Sequence, residues 1–409
     1  MKILFFSHEF PPRIFGGLGT YSLEITKKYV ELGHQVSVIS PNPGDLAEED
    51  TWNGVEVLRP RAVDWGAALA LFAAEGFRNW GGYMPYLSDV VSYNLIGAND
   101  VITEGRRWDI AAGHDWLGIL GAAVAGRSGG FPLVFHLHST EGGRQGGGGS
   151  EAIKYMERAG AQTADKVITV SWAMRDEVSR MGVDINKIEV SWNGVDPAKY
   201  AIERFAEDKI NELRRSYGID KGEKMVLFVG RLTKVKGPQQ LARAAPMVVE
   251  SHPQARFVFL GQGELEGTIR EILRQEGMDS RVSLRTEFVS EELRILHYAA
   301  CDLAVFPSLY EPFGIVSLEA MAIGKPVVVG AQGTSGFREQ VVTEGEGMCG
   351  VHVNPHNPED IAWGINLLLG GDLKWFGANA HRRVLEKFTW DKVADRTLKI
   401  YENMIKNYK

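Results

Sequence analysis

Short runs of apolar and β-branched residues alternate along most of the chain with longer amphipathic segments. Short apolar runs between polar residues are typical of buried strands. The segments 21–32, 239–250 and 265–275 have the apolar spacing of helices. This alternation predicts an α/β fold, in which helices cover both faces of parallel sheets. The predicted strands are 2–6, 35–39, 55–58, 133–136, 166–170, 188–190, 225–229, 256–260, 282–284, 303–306 and 326–329.

The alternation starts again after a charged stretch at 203–224. The sequence Met-Val-Leu-Phe-Val-Gly-Arg at 225–231 predicts a new first strand that ends in glycine. A chain of 409 residues is also too long for one ordinary domain. We therefore predict two doubly wound Rossmann-like domains that face each other across a cleft. The predicted parts are an N-terminal domain at 1–200, a C-terminal domain at 223–385 and a C-terminal helix at 386–409 that returns to the first domain.

Charge and composition narrow the range of partners. The formal net charge is −7, with −6 on residues 1–200, so neither half is basic and neither nucleic acid nor stable membrane association is expected. The two cysteines, Cys301 and Cys349, form no disulfide or zinc pattern. The apolar run at 3–6 is shorter than the core of a signal peptide. These features predict a cytoplasmic protein.

Two carboxylates flank a predicted helix start in the stretch Glu-Pro-Phe-Gly-Ile-Val-Ser-Leu-Glu at 311–319. Glu311 is expected in the loop after the strand at 303–306, and Glu319 in the helix that follows. The first amides of a helix have no partner within it and can bind phosphate. Sugar and ribose hydroxyls could then donate to the two carboxylates. The same stretch also fits acidic residues that merely stabilise a helix start.

A basic turn at 230–237, Gly-Arg-Leu-Thr-Lys-Val-Lys-Gly, follows the predicted strand at 225–229. Arginine can hold a diphosphate by paired hydrogen bonds, and lysine can bind it as a point charge. Cations would also stabilise the charge that develops on a departing nucleotide. The alternative is a solvated basic turn.

A glycine loop, Phe15-Gly16-Gly17-Leu18-Gly19, precedes a predicted helix and could approach phosphate closely. It lacks the third glycine of the dinucleotide fingerprint, as does the stretch that begins Gly261-Gln262-Gly263. A nicotinamide-dependent enzyme is therefore unsupported.

Histidines lie at the ends of two predicted strands, in His136-Leu137-His138 and His114-Asp115-Trp116. We predict no metal site, because neither Asp-X-Asp nor His-Glu-X-X-His occurs, and we favour a sugar contact for His138. A cluster of aromatic residues is expected mostly in the core, although some could stack on sugar rings. Its members are Phe72, Phe77, Trp80, Tyr83, Tyr86 and Tyr93.

Together, the glycine loop, Gly-Arg-X4-Lys-Gly at 230–237, His138 and Glu-X7-Glu at 311–319 resemble the retaining GT-B glycosyltransferases of family four, the glycosyl transferases group 1. This group includes glycogen synthases, and the resemblance covers nearly the whole chain in the same order. It differs at the first loop, where bacterial ADP-glucose glycogen synthases have Lys-X-Gly-Gly-Leu. Here the stretch reads Ile14-Phe15-Gly16-Gly17-Leu18 with Arg13 one position earlier, which leaves the nucleotide preference open.

The resemblance implies roles for residues of the second predicted domain. Arg231 and Lys236 would hold the donor pyrophosphate, and Glu319 would bind the ribose. Glu311 would bind the hydroxyls of the transferred sugar. Backbone amides would also meet sugar or phosphate, at Phe313, Gly314 and Ile315.

The resemblance also implies roles in the first predicted domain. The loop with Gly16 and Gly17 would close over the phosphates, and His138 would contact the sugar O6 beside the reacting centre. The stretches His114-Asp115-Trp116 and Asn193-Gly194-Val195-Asp196 look like further segments of glycogen synthases. They suggest acceptor or sugar contacts for His114, Asp115 and Asn193.

We therefore expect a metal-independent retaining hexosyltransferase that moves a glucosyl-like unit from ADP- or UDP-glucose to a glycan, as a glycogen or α-glucan synthase does. No cofactor is expected apart from this donor substrate. Because Glu311 is assigned to hydroxyl binding, no carboxylate nucleophile emerges, and we expect front-face substitution. The alternatives are a small-molecule or lipid-linked acceptor, a GT-B sugar-nucleotide epimerase, and a non-catalytic sugar-binding protein. The sequence leaves the nucleotide base, the sugar, the acceptor and the oligomeric state open.

Overall fold

The computed structural model of the chain describes residues 1–63 and 84–408. Contacts divide the chain into two compact units, one formed by Met1–Trp192 with Trp390–Lys409 and the other by Asn193–Thr389. Each unit has a sheet with parallel strands and intervening helices, which confirms the predicted α/β class with two Rossmann-like domains. No helix in the described part of the chain is long and apolar enough to span a membrane.

Among its described residues, the first unit contains eight strands and seven α-helices. Its strands are β1 (Lys2–Phe6), β2 (Gln35–Ile39), β3 (Glu49–Trp52), β4 (Val55–Leu58), β5 (Ile110–His114), β6 (Leu133–Leu137), β7 (Lys166–Thr169) and β8 (Ile188–Val190). Its helices are α1 (Gly17–Glu31), α2 (Met84–Thr103), α3 (Asp115–Gly129), α4 (Glu141–Arg144), α5 (Glu151–Thr163), α6 (Trp172–Arg180) and, at the C-terminus, α15 (Trp390–Asn407).

The second unit contains six strands and eight α-helices. Its strands are β9 (Lys224–Val229), β10 (Ala255–Leu260), β11 (Val282–Arg285), β12 (Leu303–Phe306), β13 (Val327–Gly330) and β14 (Gly350–Val353). Its helices are α7 (Glu207–Ser216), α8 (Pro238–Ser251), α9 (Glu266–Gln275), α10 (Glu291–Ala300), α11 (Ile315–Ala322), α12 (Phe337–Gln340), α13 (Pro358–Leu369) and α14 (Leu373–Lys387).

Strand order places a topological switch point in each sheet. The first sheet has the order β3-β4-β2-β1-β5-β6-β7-β8 and is parallel except for the β3–β4 pair. The second has the order β11-β10-β9-β12-β13-β14 and is parallel throughout. The order reverses between β1 and β5 and between β9 and β12. Ligands of doubly wound sheets bind beyond the carboxyl ends of the strands at such points.

Apolar residues of the central strands form the core of each unit, and polar residues start the helices. In the second unit, Val226, Phe228, Phe257 and Val305 belong to one buried cluster with the inner faces of the helices. The side chain of Ser290 accepts a hydrogen bond from the Leu293 amide and so caps α10. The helices therefore begin directly after the loops that follow the strands.

The C-terminal helix α15 belongs to the first unit and packs against α1. Its buried face has the apolar spacing of a helix and includes Trp390, Val393, Leu398, Tyr401 and Met404. An ion pair of 2.9 Å joins Lys28 of α1 to Asp391 of α15.

All the predicted strands are present, and their ends differ by no more than about one residue from the observed ones. Three observed strands lie outside the predicted ranges. β5 carries the strand end expected at His114, whereas β3 and β14 are not predicted. β3 is a polar edge strand of sequence Glu-Asp-Thr-Trp, and the short β14 contains glycine and histidine. The charged stretch at 203–224 contains α7. In the aromatic cluster, Tyr93 is buried and Tyr86 is exposed, while Phe72, Phe77, Trp80 and Tyr83 lie outside the described residues.

Gly237, at the start of α8, supports a test of the packing between two loops. Its φ is +68°, and a Cβ there would lie 2.1 Å from the Pro307 carbonyl oxygen. Gly218 has a φ of +66° with open space around it. We expect Gly218→Ala to lower the free energy of unfolding by about 1–2 kcal/mol through backbone strain. Gly237→Ala should lower it by a further ~1–3 kcal/mol, because the loops must separate. Urea unfolding measures both, and equal effects would contradict the observed packing.

Candidate active site

Two loops of the second unit meet where its strand order reverses. The basic turn at 230–237 follows β9, and the loop at 307–314 follows β12. The amide of Leu309 donates to the carbonyl of Val235 at 2.8 Å, and Gly237 packs against Pro307. The two loops therefore form one continuous edge at the position expected for a ligand.

An ion pair joins these two loops. Lys236 Nζ lies 2.6 Å from Glu311 Oε2, which also accepts from the Ser308 hydroxyl at 3.2 Å. Glu311 is 7 % exposed, and its backbone is held by Thr334 and Gly336. Because an ammonium group has three donors, Lys236 can bind Glu311 and still donate to another anion.

Arg231 supplies a second cation at this edge, and its side chain is exposed. No carboxylate of the described residues lies within 4.0 Å of its guanidinium group. The backbone on either side of it is fixed, because Gly230 donates to the last residue of β10, Leu260, and Leu232 donates to Gln262 in the segment that follows. This segment approaches so closely that a Cβ on Gly261 would lie 1.9 Å from the Gly230 carbonyl oxygen. The guanidinium is thus free to bind an anion from a rigid backbone.

Helix α11 starts beside this ion pair. Gly314 caps it with a φ of +93°, and a Cβ there would lie 2.1 Å from the Phe337 ring, so only glycine fits without a shift. The side chain of Gln340 donates to the carbonyls of Phe313 and Gly314 at 2.8 and 3.3 Å. The carbonyls of Phe313 and Gly314 therefore already have a donor. The first amides of α11, including that of Ile315, lie at a helix start, which favours the binding of an anion.

Glu319 lies one turn into α11 and is buried by side chains that the sequence did not reveal. Its Oε1 accepts from Tyr200 at 2.7 Å and from Arg294 at 3.2 Å, and its Oε2 accepts from Tyr298 at 2.9 Å. Burial and the charge of Glu319 raise the pKa of both tyrosines, and that charge also raises the pKa of Arg294. Glu319 is therefore held as an acceptor by three side chains.

In the first unit, Glu9 organises the glycine loop. Its Oε2 accepts from the amides of Phe15, Gly16 and Gly19 at 3.1, 3.0 and 3.1 Å. A negative charge at the start of α1 is favoured by these amides and by the helix dipole. Gly16 caps α1, and Gly17, its first residue, is exposed. Glu9 is not among the predicted site residues, although an acidic residue shortly before a glycine-rich helix start could have indicated it.

Arg13, which precedes the glycine loop, pairs with Asp45 at 3.1 Å, and both side chains are exposed.

The histidine-containing strand ends are adjacent in the first sheet, because β5 pairs with β6. Asp115 has a φ of +52°, and its Oδ1 accepts from the His138 amide at 2.7 Å. The His114 side chain is completely buried, and its Nδ1 lies 3.0 Å from His138 Nε2. His136 Nε2 lies 2.7 Å from the Tyr401 hydroxyl. Burial lowers the pKa of all three histidines, so they are neutral at pH 7.

These three histidines are the group in the described part of the chain whose nitrogen atoms lie close enough to share a metal ion, within 4.8 Å of one another. Their rings are nearly parallel, with interplanar angles of 25°, 28° and 16°. Lone pairs in parallel ring planes do not converge on one point. Because nitrogen atoms of all three also take part in hydrogen bonds, the cluster fits a bonded stack better than a metal centre.

A glycine-rich segment at 142–150 follows His138, and its first residues belong to helix α4, which ionic contacts hold. Arg144 contacts the Ser139 hydroxyl and lies 3.2 and 3.4 Å from Glu141 and Glu157. Burial raises the pKa of Glu157 to about 8, against the opposing effect of Arg144. The contact between Arg144 and Glu157 therefore anchors the N-terminal end of the glycine-rich segment to α5.

The predicted site residues thus form one group in each unit. At the carboxyl ends of β9 and β12 lie Arg231, Lys236, Glu311, Phe313, Gly314, Ile315 and Glu319. In the first unit, Gly16 and Gly17 lie at the start of α1, and His114, Asp115 and His138 lie at the ends of β5 and β6. Asn193 stands at the start of the second unit, where its Oδ1 is buried and has no partner among the described residues. Their predicted roles remain predictions.

Comparison with known proteins gives the family. Residues 15–199 match the model of Glycosyltransferase Family 4, and residues 209–383 match that of Glycosyl transferases group 1. An uncharacterized glycosyltransferase of Methanocaldococcus jannaschii is 36 % identical over 98 % of both chains. A glycogen synthase of Mycobacterium tuberculosis is 29 % identical over 98 % of this chain and 94 % of its own. An alpha-maltose-1-phosphate synthase of Mycolicibacterium smegmatis is 27 % identical over 99 % of this chain and 100 % of its own.

Solved structures show the same fold. The sucrose-phosphate synthase of Thermosynechococcus elongatus has a TM-score of 0.77 at 20 % identity, over 99 % of both chains. An Anabaena protein solved with UDP-glucose has a TM-score of 0.75 at 22 % identity, over 98 % of this chain and 100 % of its own. The chain belongs to the family-four glycosyltransferases, the glycosyl transferases group 1, and has the GT-B fold of two Rossmann-like domains.

Proposed function

We propose that the protein transfers a glucosyl-like unit from a nucleotide-diphosphate sugar to a glycan, with retention of the anomeric configuration and without a metal ion. The observation that carries the proposal is the Lys236–Glu311 pair of 2.6 Å at the switch point of the second sheet. A cation that binds phosphate and a carboxylate that binds hydroxyls meet there. The bond between phosphate and sugar in a donor would lie at such a junction.

The donor diphosphate would bind three kinds of group. Arg231 would use paired hydrogen bonds, and Lys236 would use the donors that Glu311 leaves available. The first amides of α11 near Gly314 would complete the site. In the first unit, the glycine loop with Gly16 and Gly17 would close over the phosphates while Glu9 holds its amides in place.

The sugar and ribose hydroxyls would bind to the two carboxylates. Glu311 would accept from the transferred hexose, and Glu319 would accept from the ribose. Glu319 Oε2 has one partner, Tyr298, and a carboxylate oxygen accepts about two hydrogen bonds. Capacity for a ribose hydroxyl therefore remains, although the carboxylate is largely buried.

The proposed reaction is a front-face substitution. The bond from the anomeric carbon to the leaving phosphate breaks as the acceptor oxygen attacks from the same side, and the leaving phosphate takes the acceptor proton. Because negative charge grows on the diphosphate, Arg231, Lys236 and the α11 amides would bind the transition state more strongly than the substrate. His138 would contact the sugar beside this centre.

An α-glucan is the proposed acceptor, in view of the similarity to a glycogen synthase over nearly the whole chain. A small phosphorylated sugar is the second candidate, because an alpha-maltose-1-phosphate synthase is nearly as similar. The proposed donor nucleotide is ADP or UDP, because similar solved structures contain these nucleotides. A cytoplasmic location is part of the proposal and is supported by two buried free thiols, Cys301 and Cys349.

The test of the proposed function is product analysis. The protein is incubated with UDP-, ADP- and GDP-glucose in the presence and absence of glycogen, maltooligosaccharides and glucose 1-phosphate, with and without a metal chelator. We expect a lengthened glucan with a new α-linkage that the chelator does not prevent. Free nucleotide diphosphate with an altered sugar and no acceptor requirement would indicate an epimerase instead. Donor binding without any product would support a sugar-binding protein.

The Lys236–Glu311 pair supports a prediction that separates catalysis from stability. Lys236→Gln and Glu311→Gln should each lower kcat/KM by about 10²–10³-fold, as expected when a transition-state donor or its partner is lost. Lys236→Gln should also lower the melting temperature, because it leaves the buried Glu311 carboxylate unpaired. The double variant should regain that melting temperature but not the activity. Recovery of both would mean that the pair is only structural. Lys234→Gln, an exposed lysine in the same turn, is the control.

Arg231 supports a prediction about nucleotide binding. Because its side chain is exposed, Arg231→Ala should leave the melting temperature unchanged. It should weaken UDP or ADP binding by about 10–100-fold, the value of a charge-assisted hydrogen bond. Arg231→Lys should recover little, because lysine cannot bind a diphosphate in a bidentate way. Isothermal titration calorimetry measures both variants, and unchanged affinity in Arg231→Ala would exclude this residue from the phosphate site.

A further inference from the structure

Trp172 stands at the same edge of the first sheet as His138. β7 ends at Thr169, and Trp172 is the first residue of α6, so the helix begins just beyond the carboxyl end of the strand. The Thr140 hydroxyl, in the loop after β6, donates to the side chain of Glu177 in α6. The start of α6 therefore borders the loop that follows His138, where the ligands of a doubly wound sheet bind.

Strand pairing limits the distance between Trp172 and His138. β6 and β7 are parallel neighbours, and Leu137 pairs with Thr169. His138 follows its member of this pair by one residue, and Trp172 follows the other by three. With ~4.8 Å between strands and ~3.8 Å between successive Cα atoms, the two Cα atoms are at most ~20 Å apart. A short oligosaccharide can span such a distance.

One part of the Trp172 indole is held by a neighbour, and the rest is exposed. The guanidinium carbon of Arg175, one turn further along α6, lies over the ring at 5.3 Å from its centroid. This contact is within the ~6 Å range of a cation–π interaction and holds the ring against its helix. The Trp172 side chain is nevertheless 48 % exposed. The indole therefore presents an oriented apolar surface on which a second ring can stack.

Exposure alone does not identify a binding site, because isolated apolar side chains are common on protein surfaces. Trp363 and Trp375 are also exposed, at 53 % and 41 %. Trp363 lies in the second turn of α13, and α14, which contains Trp375, follows another helix rather than a strand. Trp172 differs from both because it opens a helix at the strand ends that carry the predicted site residues. Its place in the fold, together with its orientation, is what distinguishes it.

The charges beside Trp172 favour a neutral sugar ring over a phosphorylated one. Arg144, in the glycine-rich segment, is already paired with Glu141 at 3.2 Å, and Arg175 is engaged with the indole. A phosphate group would gain little from these cations and would meet the negative charges of Glu141 and Glu177. A pyranose needs no cation, because its C–H face can stack on the indole while its hydroxyls remain hydrated.

A sugar ring at Trp172 is not the ring at His138. In the described part of the chain, the rings in contact with His138 are those of Tyr21, His114 and His136, and Trp172 is not among them. An acceptor that reaches both places must therefore extend across the edge of the sheet. A glycan of several units does so, whereas a single small sugar does not.

We infer that Trp172 forms an outer acceptor subsite, which binds a sugar ring of a neutral glycan away from the reacting end. This inference rests on the proposed function and narrows it, because it selects the glycan over the small phosphorylated sugar as acceptor. Trp172 is then a specificity-determining residue that acts on the binding of long acceptors and leaves the chemical step unchanged.

Binding of maltoheptaose to the full chain, with and without UDP, tests the subsite in the absence of turnover. We expect Trp172→Ala to weaken binding about 10-fold, the order expected when stacking on an aromatic ring is lost. Trp172→Phe keeps a smaller ring and should weaken it less. Isothermal titration calorimetry measures the affinities, and circular dichroism confirms that the variants are folded.

Trp363→Ala is the matched control, because it removes an exposed tryptophan from the second unit, and it should bind maltoheptaose as the wild type does. Unchanged affinity in Trp172→Ala would overturn the inference. So would an equal loss in Trp363→Ala, or a wild type that does not bind maltoheptaose.

Turnover with acceptors of different length separates the subsite from the proposed function. We expect Trp172→Ala to raise the KM for maltoheptaose about 10-fold, while kcat, the donor KM and the KM for maltose stay within about twofold. An equal rise for maltose and maltoheptaose would overturn the inference, and so would a wild type that prefers glucose 1-phosphate to maltooligosaccharides. If no acceptor is extended but maltoheptaose binding still depends on Trp172, the glycan subsite is confirmed and the proposed transfer is contradicted.

Discussion

The parallel pairing of β9 with β12 is the constraint on which the proposed donor site depends. The two strands are neighbours in the sheet, although Lys236 and Glu311 are 75 positions apart in the sequence. Because both strands run in the same direction, the loops that follow them leave at the same edge. Their order in the sheet reverses there, so no crossover helix fills the space between the loops. The ion pair can form because the two loops leave the sheet side by side, which brings Lys236 and Glu311 together.

Much of this arrangement could be predicted from the sequence. Apolar runs predict β9 and β12, and the stretch at 311–319 predicts a helix start, so Arg231, Lys236 and Glu311 could be assigned to one sheet edge. Contacts between side chains from distant segments could not be predicted. Tyr200 reaches Glu319 over 119 positions, and no local pattern indicates this contact. The burial of His114 also depends on the rings of Phe5 and His136, which belong to different strands.

Three carboxylates show how the same group serves different purposes according to what faces it. Glu9 accepts from three backbone amides and fixes the shape of a loop. Asp115 accepts from one amide and joins the ends of β5 and β6. Glu311 faces a side-chain cation rather than amides, and the ammonium group of Lys236 stands at the end of a flexible side chain. A carboxylate bound to fixed amides is a structural part, whereas one bound to a movable cation can exchange its partner for a substrate hydroxyl.

The charges at the second sheet edge fit a site that must both attract and release a diphosphate. Lys236 and Glu311 neutralise each other, and so do Arg294 and Glu319, which leaves the exposed Arg231 as an uncompensated charge. In a chain with a net charge of −7, such a local positive charge favours the approach of an anion. The partner of Lys236 also limits ground-state binding, because the ammonium group already has a carboxylate. In the proposed reaction, its remaining donors would gain most when negative charge grows on the leaving phosphate. Such a pair would therefore favour the transition state over tight binding of the donor.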